Sequence, residues 1–213
     1  MYKIGYVDEA PLEVKRITRK LEEDFEMVNY DIPKGLPKQE LIDQIYKSDI
    51  DLLMVDYLLT DRGMLLYNGD SVVRDFEKVK PRFPMIIFTN NEGDAFPQVD
   101  NPNIIYNKNI LDEDRARFVN VLKKNIAYYE GYVEDRKRRV AELFEIKKNQ
   151  ELSSLEKNEL FNLQLDLNKL DERENKETPN HLLSEQNLDH LSDITEDAER
   201  LLQQLTKKNN GAA

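Results

Sequence analysis

Cysteine is absent from the 213 residues, so the chain has no disulfide framework, no thiolate zinc site and no cysteine nucleophile. No apolar run approaches the ~18 residues of a membrane span, and Met1-Tyr2-Lys3-Ile4 opens directly on a strand pattern, so no signal peptide is expected. Basic charge is in deficit: Lys and Arg number 31 against 42 Asp and Glu, a net charge of −11. That balance argues against nucleic acid as a partner, because neutralising phosphates takes a basic surface. It argues equally against an anionic membrane surface. A cytoplasmic protein is expected. Hydrophobic residues make up 39% and charged residues 34%, a balance that lets only part of the chain build a thick core. The aromatics locate that part. All ten tyrosines and eight phenylalanines fall at or before Phe161, and only Phe144 and Phe161 lie beyond Tyr132.

Within that part, strand and helix patterns alternate. Residues 3–7 read as a strand, and 12–25 as a helix with Leu12, Ile17, Leu21 and Phe25 on one face. Met27 to Ile32 is a short strand, Leu41, Ile42 and Ile45 mark the next helix, and Asp51-Leu52-Leu53-Met54-Val55-Asp56 is the apolar run of a buried strand. A helix over 70–80 and strands over 84–89 and 103–107 follow. Asn90–Asn103 is short and rich in Gly, Pro and Asn, so no full helix is expected there. Alternation of this kind implies right-handed crossovers and a parallel sheet. The expected fold is α/β and flavodoxin-like, with five parallel strands in the order 2-1-3-4-5.

Beyond Leu111 the pattern changes in kind. Phe118, Leu122, Ile126, Tyr129, Val133, Val140 and Phe144 recur at helical spacing, which predicts one helix over 111–147, about 55 Å long at 1.5 Å per residue. Gly131 costs such a helix about 1 kcal/mol relative to alanine and marks a candidate boundary. The expected division is a domain over 1–130, a helical or coiled-coil arm over 131–208 and a frayed tail over 209–213. Ser153 and Glu156 have capping-box spacing ahead of Leu160, Leu163, Leu167 and Leu170. A break at Asn175–Asn180 precedes a last helix through Leu188, Leu191 and Leu205. The arm is expected to bury its leucine seam in an antiparallel hairpin, to dimerise, or to dock on another protein. Arg136-Lys137-Arg138-Arg139 is flanked by Glu134, Asp135 and Glu142 and reads as a solvated helix face.

The chemistry gathers at strand ends. Asp8 and Glu9 close the first strand, Asp56 the third, Thr89 the fourth and Lys108 the fifth. Carboxyl ends of parallel strands are where open α/β sheets place ligand sites. Three carboxylates at one edge repel one another unless a cation sits among them, and Mg²⁺ is the hard ion suited to such oxygens. Acid pair, acid, hydroxyl and amine in this order resemble the receiver domain of bacterial response regulators over about residues 1–130. The resemblance implies that Asp56 is the phosphoacceptor, with Asp8, Glu9, Asp56 and the backbone carbonyl of Leu58 holding Mg²⁺. Lys108 and Thr89 would bind the phosphoryl oxygens. It further implies a histidine kinase or phosphotransfer protein as phosphodonor, self-catalysed transfer and loss of phosphate, and output through the arm to a protein partner or homodimer. No separate catalytic domain is recognisable.

The chain departs from that family at several places. The segment after Asp56 is longer, Asn90 follows Thr89 in place of a small residue, and Asn109 follows Lys108 in place of proline. Tyr106 stands two residues before Lys108, where the family's switch aromatic stands three before, at Ile105 here. Leu58 is apolar where many receivers carry a group that places attacking water, which implies a slowly hydrolysed phosphoryl group. These departures leave a second reading open, a pseudo-receiver scaffold that is never phosphorylated. A haloacid-dehalogenase-type phosphatase needs an aspartate where Leu58 stands. His181 and His190 lack the surroundings of a phosphotransfer motif and read as surface histidines.

Overall fold

The computed structural model describes residues 1–170. Five strands, β1 (Lys3–Val7), β2 (Glu26–Asn29), β3 (Leu52–Val55), β4 (Met85–Thr89) and β5 (Ile105–Asn107), form one sheet in the order β2-β1-β3-β4-β5, every pair parallel. The order and direction are those read from the sequence: a flavodoxin-like sheet. The helices are α1 (Pro11–Leu21), α2 (Lys38–Lys47), α3 (Gly69–Val79), α4 (Glu92–Ala95), α5 (Ile110–Glu113), α6 (Arg115–Asn149) and α7 (Ser154–Leu170), with a 3₁₀ turn at Pro102–Ile104. The chain divides into two compact units, the first over 1–135 and the second beginning at Arg136.

In the first unit the side chains of each central strand part to two faces, because their period is two. Leu53 and Val55 of β3 join Val7 and Ile87 in a core closed by Leu41, Ile42 and Ile45 of α2 and Val72 and Phe76 of α3. Leu52 and Met54 join Ile4, Tyr6 and Phe88 in a second core, closed by Ile17 and Leu21 of α1 and by Phe118, Leu122 and Ile126 of α6. Both faces are covered, and β3 accordingly reads as a continuous apolar run rather than an alternating one. Arg115 stitches the second layer. Its Nε donates to the Lys20 carbonyl at the end of α1 (2.6 Å), satisfying an orphan helix-end acceptor, and its guanidinium reaches Asp24 at 2.9 Å.

Two boundaries and one facing differ from the sequence reading. Helix α1 ends at Leu21, and Phe25 enters the core from the turn beyond it. Leu12, expected on the apolar face, is 76% exposed. The helix expected from 111 is interrupted at Asp114 (φ −153°, ψ 67°), whose Oδ1 accepts the Arg117 N–H at 3.1 Å. Asp114 thus caps a new helix instead of continuing the old one. Helix α6 then runs 35 residues without interruption, about 52 Å.

In the second unit Leu143, Leu152 and Leu160 form a buried cluster with Val140, Phe144, Ile146 and Leu163. The end of α6 and α7 are therefore a hairpin with its own apolar seam. Its turn carries the expected capping box: the Glu156 carboxylate accepts the Ser153 N–H at 2.9 Å, and Ser153 Oγ accepts the Glu156 N–H at 3.3 Å. The basic run is not simply solvated. Arg139 forms a bidentate pair with Glu159 (2.7 and 2.8 Å), and Arg136 pairs with Asp166 at 3.5 Å. The expected break at Asn175–Asn180, the last helix, the tail and both histidines lie outside the described residues.

Candidate functional site

Asp8, Glu9, Asp56, Thr89 and Lys108 are the buried polar and charged side chains of the described residues, apart from tyrosines in the cores. They are also the five that the strand ends nominated. The sheet brings them together: parallel strands of matched register end at one edge, and Asp56 N–H donates to the Val7 carbonyl (2.8 Å) while Lys108 N–H donates to the Thr89 carbonyl (3.2 Å). Four of the five line one cavity of about 190 Å³ with Ala10, Glu13, Leu58, Asp61, Arg62, Asn90 and Asn91. That volume suits an ion, a few waters and a phosphoryl group, at about 30 Å³ per water, and is below the ~300 Å³ at which pockets for larger ligands begin.

Within it the lysine is the hub. Lys108 Nζ lies 2.8 Å from Asp8 Oδ2 and 3.3 Å from Asp56 Oδ1, so one ammonium compensates two carboxylates. Asp8 is held further by the Tyr6 hydroxyl, which donates to Oδ2 at 2.6 Å, and by the Ala10 N–H, which donates to Oδ1 at 2.8 Å. Burial pushes the Asp56 carboxyl up to about 6. The positive charge of Lys108 opposes this, the charge of Asp8 adds to it, and hydrogen bonds from Lys108 and Thr89 oppose it. Burial, with the charge of Asp8 beside it, pushes the Tyr6 phenol well above its ordinary value, so it stays a donor. Thr89 Oγ1 accepts the Asn91 N–H at 3.1 Å, and its hydroxyl is hydrogen-bonded to Asp56, where an arriving anion would meet it.

Glu9 is tied to the cavity wall by one of its two oxygens. Its Oε1 accepts the Arg62 backbone N–H at 2.6 Å, while Oε2 is buried with no hydrogen-bond partner. Among the described residues no three side chains of the His, Cys, Asp or Glu kinds form a ready set of metal ligands. Mg²⁺ does not require one: it keeps most of its waters and commonly takes one or two protein carboxylates. An orphaned buried carboxylate oxygen beside Asp8 and Asp56 fits such an ion, and Leu58 lines the same cavity.

The long segment between β3 and α3, residues 56–68, is folded onto the domain. Tyr57, Leu59 and Leu65 sink into the core. Gly63 turns the chain with a positive φ of 63°, and the Met64 carbonyl accepts the Gly35 N–H at 2.7 Å. This wall carries Asp61 and Arg62 to the cavity. Neither was nominated from the sequence, and no motif marks them. Tyr6 did leave a signal, since it shares a strand face with Asp8 two residues on. Asn90, where the family has a small residue, lines the cavity as well.

No family model matches the chain, and no curated protein matches it in sequence. Solved structures do resemble it. An adenylate cyclase from Rhodopirellula baltica is 22% identical over 64% of this chain and 97% of its own, with a TM-score of 0.48. A response regulator receiver domain protein from Clostridium thermocellum is 16% identical over 61% and 98%, with a TM-score of 0.45. RcsB of Salmonella enterica serovar Typhimurium, solved bound to a promoter, is 17% identical over 80% and 92%, with a TM-score of 0.43. The first unit of this chain has the receiver-type fold, on the strength of its sheet order and parallel pairing.

Proposed function

We propose that the chain is a response-regulator-like signalling protein that accepts a phosphoryl group on Asp56 and passes the resulting state to its helical arm. The observation that carries this reading is the coincidence of burial and position. The five polar side chains that the fold buries are one acid pair, one acid, one hydroxyl and one amine at a single sheet edge. Burying charge costs several kcal/mol per ion unless it is compensated, which supports reading the set as a site.

In the reaction, an Asp56 oxygen attacks the donor phosphorus. The new O–P bond forms as the bond to the donor's leaving group breaks, and that group departs with the electron pair. The Lys108 ammonium, held between Asp8 and Asp56, stands ready for the phosphoryl oxygens, and the Thr89 hydroxyl can donate to one of them. Asp8, Glu9, Asp56 and the Leu58 carbonyl are the groups that would hold Mg²⁺, which when bound would offset the charge developing on those oxygens.

A route to the arm is supported by aromatic contacts. Phe88, next to Thr89, stacks on Phe118 of α6 with ring centroids 4.9 Å apart, and Tyr106 of β5 meets the same ring at 5.6 Å. The one-residue displacement of Tyr106 from the family's position puts this aromatic on the α6 face, while Ile105 belongs to the other core. Helix α6 continues to Asn149, so a shift at Thr89 has a packed path into the helix that forms the arm. The phosphodonor would be a histidine kinase or phosphotransfer protein, and the recipient a protein partner or a second copy.

Intact mass after incubation with acetyl phosphate and Mg²⁺ tests the reading. One added phosphoryl group, absent from Asp56→Asn, is the expected result. A folded native protein that gains no mass would instead make the domain a scaffold.

A further inference from the structure

The cavity already has a cation, but that cation is engaged. Lys108 is drawn to Asp8 and Asp56 together, and Asp8 is fixed by Tyr6 and Ala10 so that it does not turn away. The cavity is also rich in acid: Asp8, Glu9, Glu13, Asp56 and Asp61 line it, against Lys108 and Arg62. Glu13 is answered by Arg16 at 3.0 Å, outside the lining set. The acyl phosphate formed on Asp56 carries about two negative charges at neutral pH where the carboxylate carried one, and a single shared ammonium is a weak answer to them.

Arg62 is the other lining cation. It sits on the extra length of the β3–α3 segment and is anchored by its backbone, whose N–H donates to Glu9 Oε1. Its guanidinium forms no ion pair among the described residues; Arg19, Arg82 and Arg117 share that, but Arg62 is the arginine that lines the cavity. An arginine whose main chain is pinned at a phosphate-sized cavity and whose fork is uncommitted suits bidentate binding of phosphoryl oxygens. Resting on the phosphoacceptor reading above, we infer that Arg62 is a second phosphoryl-binding cation of this site, supplied by the lengthened segment. It takes the oxygens that Lys108, shared with Asp8, leaves without a partner.

Arg62→Ala keeps the backbone N–H and so keeps the tie to Glu9. The experiment measures the initial rate of Asp56 phosphorylation by acetyl phosphate at saturating Mg²⁺, and Mg²⁺ affinity without donor, for native protein, Arg62→Ala and Arg62→Lys. A matching far-ultraviolet spectrum checks the fold. Arg62→Ala is expected to be phosphorylated about tenfold more slowly, within the range of one lost charge-assisted hydrogen bond, and Arg62→Lys to recover part of the rate as a point charge. Mg²⁺ affinity should stay unchanged or tighten in Arg62→Ala, since a nearby positive charge is gone. Damage to the segment would weaken both properties together and would overturn the inference. Labelling of Arg62→Ala at the native rate would overturn it too while leaving Asp56 as phosphoacceptor. A native protein that takes no label overturns the phosphoacceptor reading itself, and this inference with it.

Discussion

Gly69 packs directly on the backbone of Asp56. A Cβ at Gly69 would lie 3.0 Å from the Asp56 carbonyl carbon and 2.8 Å from Val55 Cγ1, and it would overlap the Asp56 carbonyl oxygen. The Gly69 N–H also donates to the Tyr57 carbonyl at 2.9 Å, closing the long segment back on the strand that it leaves. The first residue of α3 thus sets how near the helix approaches the phosphoacceptor.

Gly69→Ala must therefore move backbone, because no flexible side-chain end can yield. Overpacking of this sort costs about 1–3 kcal/mol. The expected result in a denaturant melt is a stability loss in that range, accompanied by a larger proportional fall in Asp56 labelling than any surface mutant of equal stability shows. Native-like labelling in a destabilised variant would mean that the helix yields and the strand end does not.

Asp56 itself gives a pH prediction with a definite sign. Its carboxyl sits at about 6 in the fold, against an ordinary value near 3.8. The folded state therefore holds this proton more tightly than the unfolded state. The stability it contributes is fully present below the ordinary value and is lost as pH rises through the window from about 4 to about 6. At pH 7 the ionised group costs the fold on the order of 2–3 kcal/mol. Asp56→Asn, which keeps the shape without the charge, should raise Tm at pH 7.5 and lose that advantage near pH 4. Paired melts across this range check it; an Asn variant no more stable than native protein at pH 7.5 would contradict it.

The strand ends were legible because two physical signals coincide there. Buried parallel strands read as apolar runs such as Leu52–Val55, and a polar residue closing such a run lands at the sheet's carboxyl edge whatever the loops do. Side-chain direction was not legible. Glu9 Oε1 meets the Arg62 N–H across 53 residues of sequence, a contact beyond the metal-holding role expected of this residue. No periodicity encodes a pairing between two loops. The reading of α6 failed at Asp114 because an aspartate inside an apolar periodicity looks like a solvent-facing residue until its cap to Arg117 is seen. Gly69 carried no usable signal either, since its requirement comes from the Asp56 carbonyl and not from its own dihedral angles.

The hairpin of the second unit is expected to depend on one residue. Leu143 is fully buried between Leu152 and Leu160. Truncating a buried leucine to alanine costs about 2–5 kcal/mol, a large share of what a two-helix seam can supply. By contrast, the Arg139–Glu159 pair is 38% and 40% exposed, and solvent screening leaves such a pair little weight in stability. Leu143→Ala should lose helical circular dichroism at a lower temperature and open the Gln150–Ser153 turn to protease, while Arg139→Ala changes little. Both should still accept phosphate on Asp56. A hairpin that tolerates Leu143→Ala would show that its stability comes from elsewhere than this cluster.

The lifetime of the phosphoryl group should be long, and Leu58 is the reason. Hydrolysis of an acyl phosphate needs a water lined up behind phosphorus, and a neighbouring polar side chain is what holds such a water. Leu58 lines the cavity two residues beyond Asp56 and packs on the core, so it offers that water no hydrogen bond. Asn90, the residue after Thr89, is one of the polar side chains that line the cavity, and it sits on an exposed turn. Once labelled, native protein in Mg²⁺ buffer should lose phosphate over many minutes, as followed by intact mass after removal of the donor. Leu58→Asn should shorten that lifetime by about tenfold or more, a modest part of what positioning a nucleophile can yield. Asn90→Ala should leave it nearly unchanged. Loss within seconds from the native protein would show that another group places the water, and Asn90→Ala would then be the variant to slow it.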